Sequence, residues 1–187
     1  MDEQVRQFAF FDVLTALPNR RLLMDRIGQA MSLAKRSGCY GAMLFLDLDN
    51  FKPLNDQQGH DAGDLLLMEV AHRLNNCVRA TDTVSRMGGD EFVVLLSSLD
   101  TDEARSTEQA GCVAESIRSA LAKPYQISVP QDNCSVQIEH HCSASIGVVV
   151  FSKACQDRGA ILKSADAAMY QAKKLGRNRV QFYTGST

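Results

Sequence analysis

The stretch from Gly41 to Leu48 constrains the fold of this chain more than any other. Ala42, Met43, Leu44, Phe45 and Leu46 are apolar without alternation, so the segment reads as a buried central strand. It ends in Asp47-Leu48-Asp49, which sets acids where the strand leaves the core. Helical and extended patterns alternate around it. Asn19 can cap a helix running to about Ser37, with Leu23, Ile27, Ala30, Met31 and Ala34 on one face, and Gly38 stops it. Further helices fit about Asp61–Val78, about Asp102–Leu121 before Pro124, and about Gly159–Leu175 before Gly176. Thr83–Met87 and Glu91–Leu96 read as strands joined through Gly88-Gly89-Asp90, a hairpin signal because both glycines accept positive φ. Tyr125–Val129 and Ser135–Phe151 read as strands around a turn at 130–133, and Val180–Phe182 as a short closing strand.

This order predicts an α/β (α+β) sandwich: a mixed, mainly antiparallel central sheet flanked by helices, of ferredoxin-like or polymerase-palm type. At 187 residues the chain fits one domain, expected over 12–187, with 1–11 as a short opening helix or linker. A net charge of -2 provides no basic field for nucleic acid or an anionic membrane, so a phosphate-bearing ligand must be held by local charges or a metal. The six cysteines form no C-x-x-C pair and no zinc spacing, and reduced thiols in a cytoplasmic protein are the simplest account. His140 and His141 are adjacent on a strand and point to opposite faces, which argues against a shared metal. No apolar run approaches the roughly 18 residues of a membrane span, so no direct membrane contact is expected from this segment.

The acids are the first candidates for chemistry. If the glycine hairpin pairs beside the central strand, Asp47, Asp90 and Glu91 meet at one end of the sheet. Such carboxylates with a backbone carbonyl form a hard oxygen site suited to magnesium, whose remaining positions go to water and phosphate. Read singly, each acid is equally a strand end or a solvated turn. Gly88 and Gly89 lack side chains, so a base or triphosphate can lie against the backbone there. Asn50-Phe51-Lys52 offers turn N–H groups and a point charge to an anion. Asn55 can read a base edge, and Asp64 can accept from guanine N1–H and its amine, or complement a helix dipole instead. Lys173 and Arg177 can both reach phosphate across a helix end.

Taken together these segments resemble the GGDEF family of diguanylate cyclases. Gly88-Gly89-Asp90-Glu91-Phe92 is the signature that names it. Asp12-Val13-Leu14-Thr15-Ala16-Leu17-Pro18-Asn19-Arg20 is similar to its opening motif, with Ala16 in place of the usual glycine. Asp47-Leu48-Asp49-Asn50-Phe51-Lys52 with Asn55-Asp56, Gly59-His60 with Gly63-Asp64, Ser145-Ile146-Gly147, and Ala165 through Asn178 resemble the rest. The resemblance covers about residues 10–183 and extends to the nucleotidyl cyclase fold.

The resemblance implies magnesium, or manganese in its place, two ions per GTP, held by Asp47, the Leu48 carbonyl, Asp90 and Glu91. Asp90 would be general base toward the ribose 3′-hydroxyl, and Lys52 would offset charge in the transition state. Asn55 and Asp64 would recognise guanine with His60 nearby. Lys52, Lys173 and Arg177, with the amides of Asn50 and Phe51, would hold the triphosphate. It further implies a homodimer that condenses two GTP into cyclic di-GMP and two pyrophosphates, linked to an N-terminal sensor domain in a longer, cytoplasmic or membrane-anchored chain. Arg79 and Asp82 stand at the spacing of the family's R-x-x-D site, where cyclic di-GMP would bind as inhibitor, with a surface salt bridge as the plainer reading. The alternative function is a non-catalytic module that binds GTP or cyclic di-GMP.

Overall fold

β1 (Gly41–Asp49) is buried along its whole length, as an unbroken apolar run demands. The computed structural model, which describes residues 8–131, 134–155 and 157–185, places β1 at the centre of a five-stranded sheet. β3 (Glu91–Leu96) and β6 (Ser143–Phe151) flank it, both antiparallel. β2 (Thr83–Gly88) lies outside β3, and β7 (Val180–Phe182) runs parallel to β6 at the far edge. The order is β2-β3-β1-β6-β7, and the expected mixed, mainly antiparallel sheet is the one that forms. Its first four strands have the order of a ferredoxin-like βαββαβ unit.

The helices are α1 (Arg20–Ser37), α2 (Phe51–Gln58), α3 (His60–Cys77), α4 (Glu103–Leu121) and α5 (Arg158–Lys174). Successive side chains of β1 point to opposite faces, so each face needs its own cover. Ala42, Leu44, Leu46 and Leu48 pack with Leu66, Val70 and Leu74 of α3 and Ala110, Ala114 and Ile117 of α4. Met43 and Phe45 pack with Leu23 and Ile27 of α1 and Ile161, Ala165 and Met169 of α5. Each fully buried aliphatic side chain contributes about 2 kcal/mol by leaving water. Gly147 decides how closely α5 approaches. A methyl group there would collide with the backbone of Ala165 and Met169, so only glycine lets α5 lie directly on β6.

The expected caps are in place. Asn19 accepts from the N–H groups of Arg21 and Leu22, and Gly38 ends α1 at φ 75°.

Two elements depart from expectation. The stretch after β1 is helical, not a turn. Asn50 turns the chain at φ 60°, and α2 starts at Phe51 with Leu54 buried beneath it. Pro53 sits in the first turn, where its missing N–H leaves no hydrogen bond unmade. The long strand 135–151 is two strands. Among the described residues β5 (Cys134–His140) pairs with β4 (Tyr125–Gln131) alone as a separate two-stranded sheet, and β6 begins after His141-Cys142. Hydrophobic pattern explains the break: Val136 and Ile138 alternate with polar residues, whereas Ala144–Val150 is almost wholly apolar. Residues 132–133 of the expected turn lie outside the described residues, as do 1–7 of the expected opening segment; residues 8–10 are helical. Among the described residues no helix is long and apolar enough to cross a membrane.

Candidate active site

The β2–β3 hairpin delivers its tip to the end of β1. Register places Asp47 opposite Glu91, and Leu48 N–H donates to the Asp90 carbonyl at 3.2 Å. The turn needs its glycines: Gly88 and Gly89 sit at φ 136° and 53°, and open space lies where their side chains would be. Arg86 holds the turn from below. Its Nε and Nη2 donate to the Gly89 carbonyl at 3.1 and 2.7 Å, and its Nη1 reaches Asp12 at 3.0 Å. Asp12 also accepts from the Thr15 N–H and hydroxyl. Burial pushes the Asp12 pKa up, but the Thr15 and Arg86 hydrogen bonds outweigh it and hold the carboxyl below its usual value. The opening motif, to which the sequence assigned no role, is therefore a brace for the hairpin. Ala16 adopts φ 57° within it, which accounts for the glycine usual at that position.

Asp47 is only 8% exposed. Lys173 Nζ comes down from α5 to 2.6 Å from its Oδ1, the one ion pair this buried carboxylate makes among the described residues. Burial, then the Asp90 and Asp49 charges, raise the Asp47 pKa against the pull of Lys173. Glu91 is raised as well, by burial first and then by Asp47, Asp166 and Asp90. The structure thus brings together Asp47, Asp90, Glu91 and Lys173, and it adds Asp166, whose charge the sequence reading did not place here.

Asp49, two residues on, differs. It accepts from Ser143 Oγ and Ser145 Oγ at 2.7 Å each and from Asn178 N–H at 3.0 Å. Nothing in the local sequence signals those distant donors.

α2 and α3 form the neighbouring wall. The Asn55 amide occupies the space that a side chain on Gly63 would need, so that glycine lets Asn55 lie beside the first turns of α3, where His60 and Asp64 are exposed. Asn50 makes no side-chain cap at the start of α2, and Lys52 is exposed beside it. Arg177 is exposed in the turn after α5.

Arg79 and Asp82 lie elsewhere, at the start of β2. An extended run of that length puts them roughly 20 Å from the glycine tip. The surface salt bridge of the plainer reading does not form between them. Asp82 accepts from the Arg79 and Ser97 N–H groups, and the Arg79 side chain projects between two clefts, one shared with Arg26 and Arg36, the other with Asp82 and Glu108.

The donor set at the acids fits a hard divalent cation: a buried carboxylate crowded by other acids, two further acids and strand-end backbone oxygens. Among the described residues no three His, Cys, Asp or Glu side chains are placed to hold a metal ion by themselves, so an ion here would depend on backbone, water and phosphate oxygens for the rest of its shell.

Comparison with known proteins agrees with this geometry. The family profile described as "Diguanylate cyclase, GGDEF domain" matches residues 9–179. The bifunctional diguanylate cyclase/cyclic di-GMP phosphodiesterase MucR of Pseudomonas aeruginosa is 45% identical over 185 residues, covering 99% of this chain and 25% of that protein. The chain thus spans about a quarter or less of the first curated relatives it matches. The crystal structure of the GGDEF domain of TpbB from the same organism superposes with a TM-score of 0.79 at 34% identity, covering 92% of this chain and 99% of that one. The coiled coil and GGDEF domain of DgcB from Caulobacter crescentus, solved in complex with c-di-GMP, gives 0.80 at 27% identity, covering 96% and 88%. Fold, acidic strand end, glycine hairpin and profile agree: this chain belongs to the GGDEF family of diguanylate cyclases.

Proposed function

We propose that the chain is a catalytic GGDEF domain that condenses two GTP molecules into cyclic di-GMP. The observation that carries this reading is the register that sets Asp47 against Glu91 with Asp90 tied to Leu48, converging the acids beside the open glycine turn. Asp47, the Leu48 carbonyl, Asp90 and Glu91 would hold magnesium, two ions per GTP, with manganese a substitute. When bound, such ions neutralise triphosphate charge and acidify a coordinated hydroxyl. Asn55 and Asp64, beside His60, accept and donate along the guanine edge. Lys52, Lys173, Arg177 and the amides of Asn50 and Phe51 hold the phosphates. Asp90 takes the proton of the ribose 3′-hydroxyl as that oxygen bonds to the α-phosphorus of the GTP on the facing subunit. The bond to the β-phosphate oxygen breaks, and pyrophosphate leaves. Two such transfers close the ring, so the working unit is a homodimer of cytoplasmic domains attached to a sensor.

The test is incubation with GTP and magnesium, followed by chromatography for cyclic di-GMP. Product is expected from the chain and at least about 100-fold less from Asp90→Ala; equal product from both would reject the role of Asp90, and no product from the parent chain would favour the binding-module alternative. The exposed Arg79 further supports an inhibitory cyclic di-GMP site. Arg79→Ala is expected to remove inhibition by added cyclic di-GMP, and an unaltered inhibition curve would reject that site.

A further inference from the structure

The turn after α5 carries Arg177 in a conformation that residues with side chains avoid. Gly176, Arg177 and Asn178 follow one another at φ 115°, 62° and 44°. Such a run persists only where its surroundings fix it. Two contacts do so at Asn178. Its N–H donates to Asp49 Oδ2 at 3.0 Å, and its side-chain oxygen accepts from Arg118 Nη1 at 2.7 Å. Asp49 is itself held by Ser143 and Ser145 in the core. Arg118 is held on α4 by Glu115, whose carboxylate takes Nε and Nη2 at 2.9 and 2.6 Å. A planar guanidinium chelated on one edge keeps its other nitrogen aimed in one direction, here at Asn178.

We infer that Asp49 and Arg118 are positioning residues for Arg177: from the core and from α4 they hold the 176–178 turn in the left-handed form that presents the Arg177 side chain to the nucleotide phosphates. This rests on the phosphate role proposed for Arg177. Neither residue touches the nucleotide in that scheme; they remove an ordering cost that binding would otherwise meet. Arg118 lies 60 residues from Asn178 in sequence, so the link exists only in the folded chain.

Arg118 is the better handle, because it sits on the outer side of α4 and its removal opens no core cavity. Affinity for a non-hydrolysable GTP analogue and for guanosine would be measured by calorimetry in the parent chain, Arg118→Ala, Asn178→Ala and the double variant. Arg118→Ala is expected to weaken the analogue about fivefold, leave guanosine unchanged and keep the melting temperature within about 2 °C. The double variant should bind no more weakly than the weaker single one, since both act through one contact. Arg118→Lys should recover part of the loss. Unchanged analogue affinity in Arg118→Ala, an equal loss for guanosine, or additive losses in the double variant would each overturn the inference. A parent chain that binds guanosine as tightly as the analogue would instead remove the phosphate role of Arg177, and the inference would fall with it.

Discussion

Two regions at the end of β1 show what burial alone does not decide. Asp47 and Asp49 are two residues apart on one strand, face the same side of the sheet, and are both nearly inaccessible. Asp49 accepts from two serine hydroxyls and a backbone N–H. Around Asp47 the neighbours are mostly acids, and Lys173 only partly offsets them. The first carboxylate ties β1, β6 and the Arg177 turn together. The second shares a crowd of negative charge facing the glycine turn, offset by one lysine. An acid surrounded by donors supports the fold; one crowded by other acids is available for chemistry.

The comparison breaks most sharply on Asp47. Asp47→Asn is expected to lower product formation about a thousandfold while raising the melting temperature by roughly 3 °C in metal-free buffer. The sign follows from linkage: the folded pKa lies above the ordinary 3.8, so folding is favoured most below that value and loses ground as pH rises through the folded pKa. Asparagine has no charge to penalise, so its advantage should appear at neutral pH and vanish in acid. A destabilised Asp47→Asn at pH 7 would contradict the contrast.

Asp49→Ala should do the opposite, costing about 3 kcal/mol in urea unfolding because several buried donors lose their acceptor. A near-neutral result would mean those hydrogen bonds do not support the fold. The smallest effect sharpens the picture at the hairpin. Arg86→Ala should cost about 1 kcal/mol after solvent screening, since the Asp12 pair is only partly buried. Asp12 has a depressed pKa, so its contribution is present above about pH 3.8 and lost as pH falls through the lower folded value. Acid titration of the two proteins should therefore converge below that window; curves that stay parallel would remove Asp12 from the brace.

Much of this molecule is legible along the chain because the responsible forces are local. The apolar run of β1, the Asn19 cap, the Gly38 stop and the glycine hairpin each follow from side-chain pattern or backbone sterics within a few residues. The recognisable motifs extended that reading to the acids, to Asn55 and to Lys173. Where local signals conflicted, the reading faltered. Asn50 and Pro53 resembled a turn, although Pro53 falls in the tolerant first turn of α2. The apolar content of Val136 and Ile138 made β5 look like the start of β6.

The sequence by itself determined which residues form the central strand, where its acids lie, and that two glycines turn the hairpin. Only the tertiary structure decided which aspartate is surrounded by donors and which is crowded by acids. The donors to Asp49 are 94, 96 and 129 residues away, and Lys173 reaches Asp47 only because Gly147 lets α5 rest on β6. Hydrogen bonds and charge act over a few ångströms of space whatever the separation along the chain, so their balance at one carboxylate is settled when distant strands and helices meet.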